Sequence, residues 1–406
     1  MHPQELKIED FTYTLPDSHI AYHAAEPKDS ARLLIYGKED FTEDTYRNIG
    51  AHLPTGAVLV FNDTKVIKSR LLFQKETGGN VEIFCLEPVG ENLHFEEELN
   101  RRGSAQWKCL VRRAGKVQGV TLVKKVTIGG TAVTLKATVG ERLGDTYPVS
   151  FNWSPPEFTF GSVLANSGVM PLPPYIRRTA TEEDEMAYQT VYSEHEGSVA
   201  APTAGLHFTE RVFEDLKTRG IQTLFTTLHV GAGTFMPVKS ATMNGHAMHA
   251  EYINITTNFL EALLAVTDQP IIPVGTTSMR TLESIYWMGN KIRNQPGLTA
   301  AELKVRQWEP YETAETHSAK VALGALLDWM RGHSLQEFSV ETEIIIAPPY
   351  RFQLARGLVT NFHQPNSTLL LLVAALIGED WRRMYDHALK ASFRFLSYGD
   401  GCLLLP

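Results

Sequence analysis

An α/β body interrupted by a small antiparallel β-barrel or sandwich is what this sequence predicts, on three observations. Apolar runs of strand length recur beside amphipathic segments with helix-start and helix-stop signals. Between Lys65 and about Pro148 the helical signals give way to short strand-like pieces punctuated by glycine turns. The 406 residues exceed what one ordinary core organises, so two domains are expected. Hydrophobic residues at 43% and charged residues at 21% describe a soluble globular chain. The apolar run Leu369 to Ile377 is too short to span a bilayer, and Met1 to Glu5 has neither a basic nor an apolar leader region. A cytoplasmic location without membrane attachment is therefore expected. Cys85, Cys109 and Cys402 are isolated and odd in number, which fits neither a disulfide framework nor a zinc pattern.

In chain order, Ala31 to Tyr36 and Ala57 to Phe61 read as short buried strands, the second running into Asn62-Asp63-Thr64. Such a tip turns the chain through side-chain to backbone hydrogen bonds, which is also the plain reading of Asp63. Strand-like pieces follow at Val81 to Leu86, Trp107 to Val111, Val120 to Val126 and Ala132 to Val139. Arg101, Arg102, Lys108, Arg112, Arg113, Lys116, Lys124 and Lys125 cluster there without one intervening acid. Residues 61 to 145 carry fourteen Lys/Arg against ten Asp/Glu, although the whole chain has a formal charge of -8. A basic lobe on an acidic body suits phosphate-backbone recognition, and a solvated sheet face with lysines on its edges would look the same. Pro171 to Arg178 reads as a rigid extended loop ending in Arg177 and Arg178.

The most informative stretch is Gly197 to Val238. A loop holding Thr203, Gly205 and His207 leads into a helix capped near Thr209 and stopped at Gly220. A strand from Gln222 to Val230 then delivers His229 beside Gly231 and Gly233. Small residues in both His-bearing loops would let a ligand approach the backbone. His246, His249 and Glu251 follow, but no pair has the helical spacing or cysteine partners of a strong metal motif, so no metal is expected.

A second unit runs from Ile271 to Glu283, a buried strand ending in Gly275-Thr276-Thr277-Ser278, then a helix through about Trp287. Free N–H groups at that helix start, with three hydroxyls and Arg280, suit a carboxylate or phosphate; simple capping explains one hydroxyl. Asn290 to Val340 reads as an embellishment carrying an amphipathic helix, Ser318 to Arg331. A strand at Thr342 to Ala347, a helix capped by Ser367 or Asn366, a helix from Trp381 to Lys390 and a last strand near Phe393 to Phe395 complete the expectation. Asn361, His363 and Asp400 are polar groups set beside apolar elements, as at a site or in buried structural hydrogen bonds.

Taken together, these motifs resemble the S-adenosylmethionine:tRNA ribosyltransferase-isomerase family. The matching stretches are Phe61 to Ile67, Glu76 to Gly79, Leu172 to Ile176, Tyr188 to Tyr192, Val199 to Phe208, Thr227 to Phe235, Met248 to Glu251, Val274 to Glu283, Thr360 to His363, Ser367 to Leu370 and Ser397 to Asp400. They span nearly the whole chain. The resemblance implies a mixed α/β, barrel-like body, residues 1–64 and 149–406, with an inserted antiparallel β-barrel domain, residues 65–148. It implies transfer and isomerisation of the ribosyl moiety of S-adenosylmethionine onto 7-aminomethyl-7-deazaguanine at a tRNA wobble position, releasing adenine and methionine. S-adenosylmethionine is then a consumed substrate rather than a cofactor, and the chain is expected to act as a monomer.

Mapped onto these residues, His207 or His229 is expected to be the general base, with Asp63 as the rival. Thr203, Gly205, Gly231 and Gly233 would bound the substrate. Thr276, Thr277, Ser278 and Arg280 would hold the methionine carboxylate or a tRNA phosphate, and Asn361 and His363 the adenine or ribose. The basic stretch with Arg177 and Arg178 would track tRNA phosphates. Asn366 stands where a lysine commonly precedes the Ser-Thr-Leu-Leu motif. A tRNA-binding paralogue without catalysis, a different acceptor and a His-ligated metal hydrolase are the alternatives.

Overall fold

The computed structural model describes residues 2–406 except 38–39, 76–77, 91–94, 113, 232 and 234–237. Its centre is the strand Val58–Asn62, in which every residue is buried. Ile271–Pro273 and Gln222–His229 pair with it in parallel on either side. Burial on both faces is what an unbroken Val-Leu-Val-Phe run predicts, since alternation is needed only where one face meets water. Beyond Gln222–His229 the sheet turns antiparallel through Glu251–Thr256 and Glu337–Thr342.

A second sheet orders Leu358–Asn361, Gly401–Leu404, Arg32–Tyr36 and Phe41–Thr45. Single bridges from Ile271 to Ala355 and from Val274 to Val359 join the edges of the two sheets. The helix Thr276–Asn294 runs back across them, its residues buried almost throughout. The helix Ala319–Gly332 crosses it closely at Gly289, where a Cβ would fall 2.0 Å from the Ala322 carbonyl oxygen. Only glycine permits that approach.

The second region is a sheet of seven strands, antiparallel at every pairing: Gly168–Val169, Arg70–Gln74, Asn80–Pro88, Ser104–Val111, Tyr147–Ser154, Thr131–Val139 and Thr121–Ile128. Asn80–Pro88 and Thr131–Val139 bury near-alternate residues. Leu135, Ile83, Trp107, Phe151 and Phe160 fill the inner face. Among the described residues the two end strands do not pair with each other, so the expected barrel is not closed by hydrogen bonds. The helix Phe160–Ser167 packs against both Arg70–Gln74 and Thr121–Ile128 and fills that seam. Lys124 Nζ donates to the Ser167 carbonyl at its end, 2.7 Å.

Two expected strands lie elsewhere. The strand expected at Thr342 to Ala347 is Glu337–Thr342. Ile344, Ile345 and Ala347 are buried without a ladder, because the Arg280 guanidinium and the Tyr311 hydroxyl donate to their carbonyls. The last strand is Gly401–Leu404, and Phe395 contributes a single bridge to Ile20. The helix after Gly275 continues to Asn294 rather than Trp287.

Candidate active site

The body carries a cleft of about 720 Å³, open solvent at its mouth included, where the sheet edges meet the start of Thr276–Asn294. Gly275 caps that helix at φ +92°, a conformation that favours glycine. Thr276 and Thr277 then line the cleft in the first turn, where backbone N–H groups have no intrahelical acceptor. Ala200 to Ala204 and, at the end of Leu358–Asn361, Thr360 to His363 line it as neighbouring segments joined through Thr203 and Asn361. Phe362, Leu369, Leu396 and Val230 make the lining largely apolar.

The polar groups of the cleft are held but not exhausted. Thr203 Oγ1 donates to Asn361 Oδ1 at 2.7 Å, which fixes the amide so that Nδ2 is the group left over. That Nδ2 is buried without a partner, as is Thr277 Oγ1. Thr360 Oγ1 lies 2.9 Å from His363 Nε2, the Tyr385 hydroxyl accepts the His363 N–H at 3.0 Å, and the Tyr13 hydroxyl donates to the His363 carbonyl. Burial lowers the His363 imidazole to about 3, so it is neutral. Unsatisfied donors in an apolar cleft cost free energy until a ligand accepts from them.

The remaining candidates are distributed differently. Ser278 is buried and spends its hydroxyl on the Val274 carbonyl, 2.8 Å away. Arg280 is buried, pairs with Glu251 and donates to the Ile344 carbonyl at 3.2 Å. It lines a second cleft with Gly233, His246, His249 and Glu251. Gly233 is required there because a Cβ would sit 2.2 Å from His249 Cδ2. Gly205 instead makes room for Tyr192, whose Oη would be 1.8 Å from a Cβ, whereas a Cβ at Gly231 would meet nothing within 4 Å.

His207, His229 and Asp63 do not line the first cleft. His207 is buried against Tyr46, ring centroids 4.4 Å apart, with Nδ1 3.2 Å from the Lys28 carbonyl oxygen. A carbonyl only accepts, so Nδ1 carries the proton and Nε2 is a bare lone pair. His229 lies 3.1 Å from Thr64 Oγ1 through Nδ1 and packs on Phe95. Burial lowers both imidazoles to about 4, with His195 adding repulsion at His229. Burial raises the Asp63 carboxyl, although it accepts from Thr227 Oγ1 at 2.7 Å. No three His, Cys, Asp or Glu side chains among the described residues converge as a metal site.

On the seven-stranded sheet several cations are already engaged: Arg101 with Glu98, Lys108 with Glu87, Arg102 with the Glu157 carbonyl, and Lys124 with Ser167. Arg112 and Lys125 are exposed. Arg113 and the side chain of Lys116 lie outside the described residues. Arg177 is exposed, 3.7 Å from Asp17, whereas Arg178 grips buried Asp184 with both terminal nitrogens at 2.6 and 2.7 Å. Glu251, weighed in the sequence only beside His246 and His249, is the partner of Arg280, and Tyr175 and Ser397, given no site role there, have hydroxyls 2.5 Å apart beside the first cleft.

Strand ends, a helix N-terminus and unspent donors around an apolar cleft define an α/β protein built to hold a small molecule. The chain belongs to the queuosine biosynthesis protein family, whose model matches residues 8–404. Proteins curated as S-adenosylmethionine:tRNA ribosyltransferase-isomerase are similar along its length. That of Caulobacter vibrioides is 37% identical over 98% of each chain, and that of Trichlorobacter lovleyi 36% over 98% of this chain and 99% of its own. That of Ruegeria pomeroyi is 34% identical over 99% of this chain and 100% of its own. A solved S-adenosylmethionine tRNA ribosyltransferase from Thermotoga maritima is 27% identical, covering 98% of this chain and 100% of its own, with a TM-score of 0.46.

Proposed function

We propose that this chain is an S-adenosylmethionine:tRNA ribosyltransferase-isomerase that moves the ribosyl carbons of S-adenosylmethionine onto a 7-aminomethyl-7-deazaguanine at the tRNA wobble position. The observation that carries this reading is the full-length relation to enzymes of that name. The first cleft is the adenosine site. Asn361 Nδ2 donates to the adenine ring, and Thr203 and Thr277 hold ribose hydroxyls in a cleft whose lining is largely apolar. Adenine leaves with its electron pair, so donors already aimed at it stabilise the leaving group more than the bound substrate. The first-turn N–H groups of Thr276–Asn294 add positive potential at the same place.

His207, His229 and Asp63 we assign to positioning. His207 ends the turn that presents Thr203 and Ala204, and His229 precedes Val230. Residues 65–148, with the remainder of Tyr147–Ser154 and Gly168–Val169 that complete their sheet, are assigned as the tRNA-facing unit on a body made of the rest of the chain, and Arg112 and Lys125 are exposed cations on it. The test is release of adenine and methionine from S-adenosylmethionine, with tRNA bearing the 7-aminomethyl-7-deazaguanine base and with tRNA bearing guanine. Release with the modified tRNA alone, with the matching mass gain on the nucleoside, is expected. No release with either tRNA overturns the reading.

A further inference from the structure

The second cleft shares Leu369 with the first, and the same two helices line both. Thr276 and Thr277 face the first cleft, and Arg280, one turn further along the same face, faces the second. The two clefts are neighbouring parts of one trench. At the far end the Arg280 guanidinium is 7% exposed and ion-paired to Glu251, yet its Nη2 is buried with no acceptor. Arginine stays charged, so the bare Nη2 is a donor held ready for an acceptor that arrives with a ligand.

The pair also says what kind of ligand. A guanidinium and a carboxylate together carry no net charge, so this end offers little to a lone phosphate and leaves no excess charge for an isolated cation. A zwitterion supplies one charge for each partner. Beside the pair the lining is aliphatic on one side, with Ile344, Ile346, Leu372 and Met248, which suits a methionine stem, and carries the imidazoles of His246 and His249 on the Gly233 side.

We propose that Glu251 and Arg280 form the recognition site for the α-amino-acid end of S-adenosylmethionine. Nη2 of Arg280 binds the carboxylate, the Glu251 carboxylate faces the ammonium, and the methionine stem lies over Leu369 toward the sulfonium. This rests on the function proposed above and adds Glu251 as a specificity determinant for the intact amino-acid arm.

Two pairs of compounds test it on the unaltered protein. S-adenosylhomocysteine and 5'-methylthioadenosine are both neutral at sulfur and differ in the amino-acid arm. S-adenosylmethionine and its decarboxylated form differ in the carboxylate. Inhibition and binding measurements are expected to place methylthioadenosine at least tenfold weaker than S-adenosylhomocysteine, and the decarboxylated compound at least tenfold weaker than S-adenosylmethionine. Equal affinities within each pair, in a protein that still releases adenine with modified tRNA, overturn this inference and leave the function standing. Failure to bind S-adenosylmethionine at all overturns both. Glu251→Gln, checked for folding by its melting temperature, is expected to raise KM for S-adenosylmethionine and not for tRNA. The opposite split reassigns the cleft to the acceptor base.

Discussion

Lowering the pH should cost this protein stability through His207, by an amount the structure sets. The unfolded imidazole titrates near 6.5, whereas burial holds the folded one at about 4, because the charged ring would lose its hydration there, and the Lys28 carbonyl and Asp400 offset only part of that loss. Between those values the unfolded chain binds the proton and the folded chain does not, so stability rises with pH through that window. It is complete above about pH 6.5, falls as the pH drops toward 4, and levels off below. The gap corresponds to about 3.4 kcal/mol in the limit, and to about 2 kcal/mol between pH 7.5 and 5. His229 and His363 are depressed as well, so the contribution of His207 is a difference between proteins. His207→Asn places an amide nitrogen where Nδ1 donates to Lys28 and cannot titrate. Urea unfolding at pH 7.5, 6 and 5 should show the variant weaker by a constant offset and its pH slope shallower than the parent's by about 2 kcal/mol over that range. Parallel slopes would refute the argument.

Gly205→Ala should unfold the region around the first cleft, since its Cβ would lie 1.8 Å from Tyr192 Oη. Tyr192→Phe alone should be close to neutral because that hydroxyl is buried without a partner, and it should recover part of the melting temperature lost in Gly205→Ala. Asn361→Ala removes the unspent cleft donor and should weaken S-adenosylmethionine binding by about 1 to 3 kcal/mol, roughly 5- to 150-fold by titration calorimetry; it also removes the acceptor of the Thr203 hydroxyl, so the melting temperature should fall as well. Arg112→Gln and Lys125→Gln should each lower the salt slope of tRNA binding by about one. Arg178→Gln should instead cost about 3 to 5 kcal/mol of stability, because buried Asp184 loses its bidentate partner.

What the sequence displayed was local periodicity and local capping. Val58–Asn62 and Gln222–His229 announce themselves as runs, and Ser367 accepts from the Leu370 N–H as a start signal should. Thr209 stands at the expected N-cap, yet its hydroxyl goes to Asp29 Oδ2 at 2.8 Å, a partner 180 residues away. Glu251 meets Arg280, and Tyr175 meets Ser397, at separations that no period marks. Ile344 to Ala347 misled because hydrophobicity reports burial and not ladder pairing, and side chains served as donors to that segment instead. Asn366 has its reason in the backbone. It sits at φ +56° just before the helix Thr368–Ile377, where asparagine is tolerated better than lysine. A basic sequence stretch likewise becomes fewer available cations once Arg101, Lys108 and Lys124 find partners.

The trench also bears on how a sulfonium substrate is made reactive. Two helices, Thr276–Asn294 and Thr368–Ile377, begin at its walls, and each brings the positive end of its dipole there. Positive potential beside a sulfonium does not favour the bound cation. It does favour removal of the adjacent proton and the charge that gathers on departing adenine, so the interaction grows along the reaction instead of deepening the bound state. S-adenosylhomocysteine has the same adenosine and amino-acid ends and lacks the S-methyl group and, with it, the sulfonium charge. By this reasoning it should bind at least as tightly as S-adenosylmethionine, measured by calorimetry without tRNA. Tenfold tighter binding of the sulfonium would mean that a cation-stabilising group outweighs the helix ends and that the acceleration arises elsewhere.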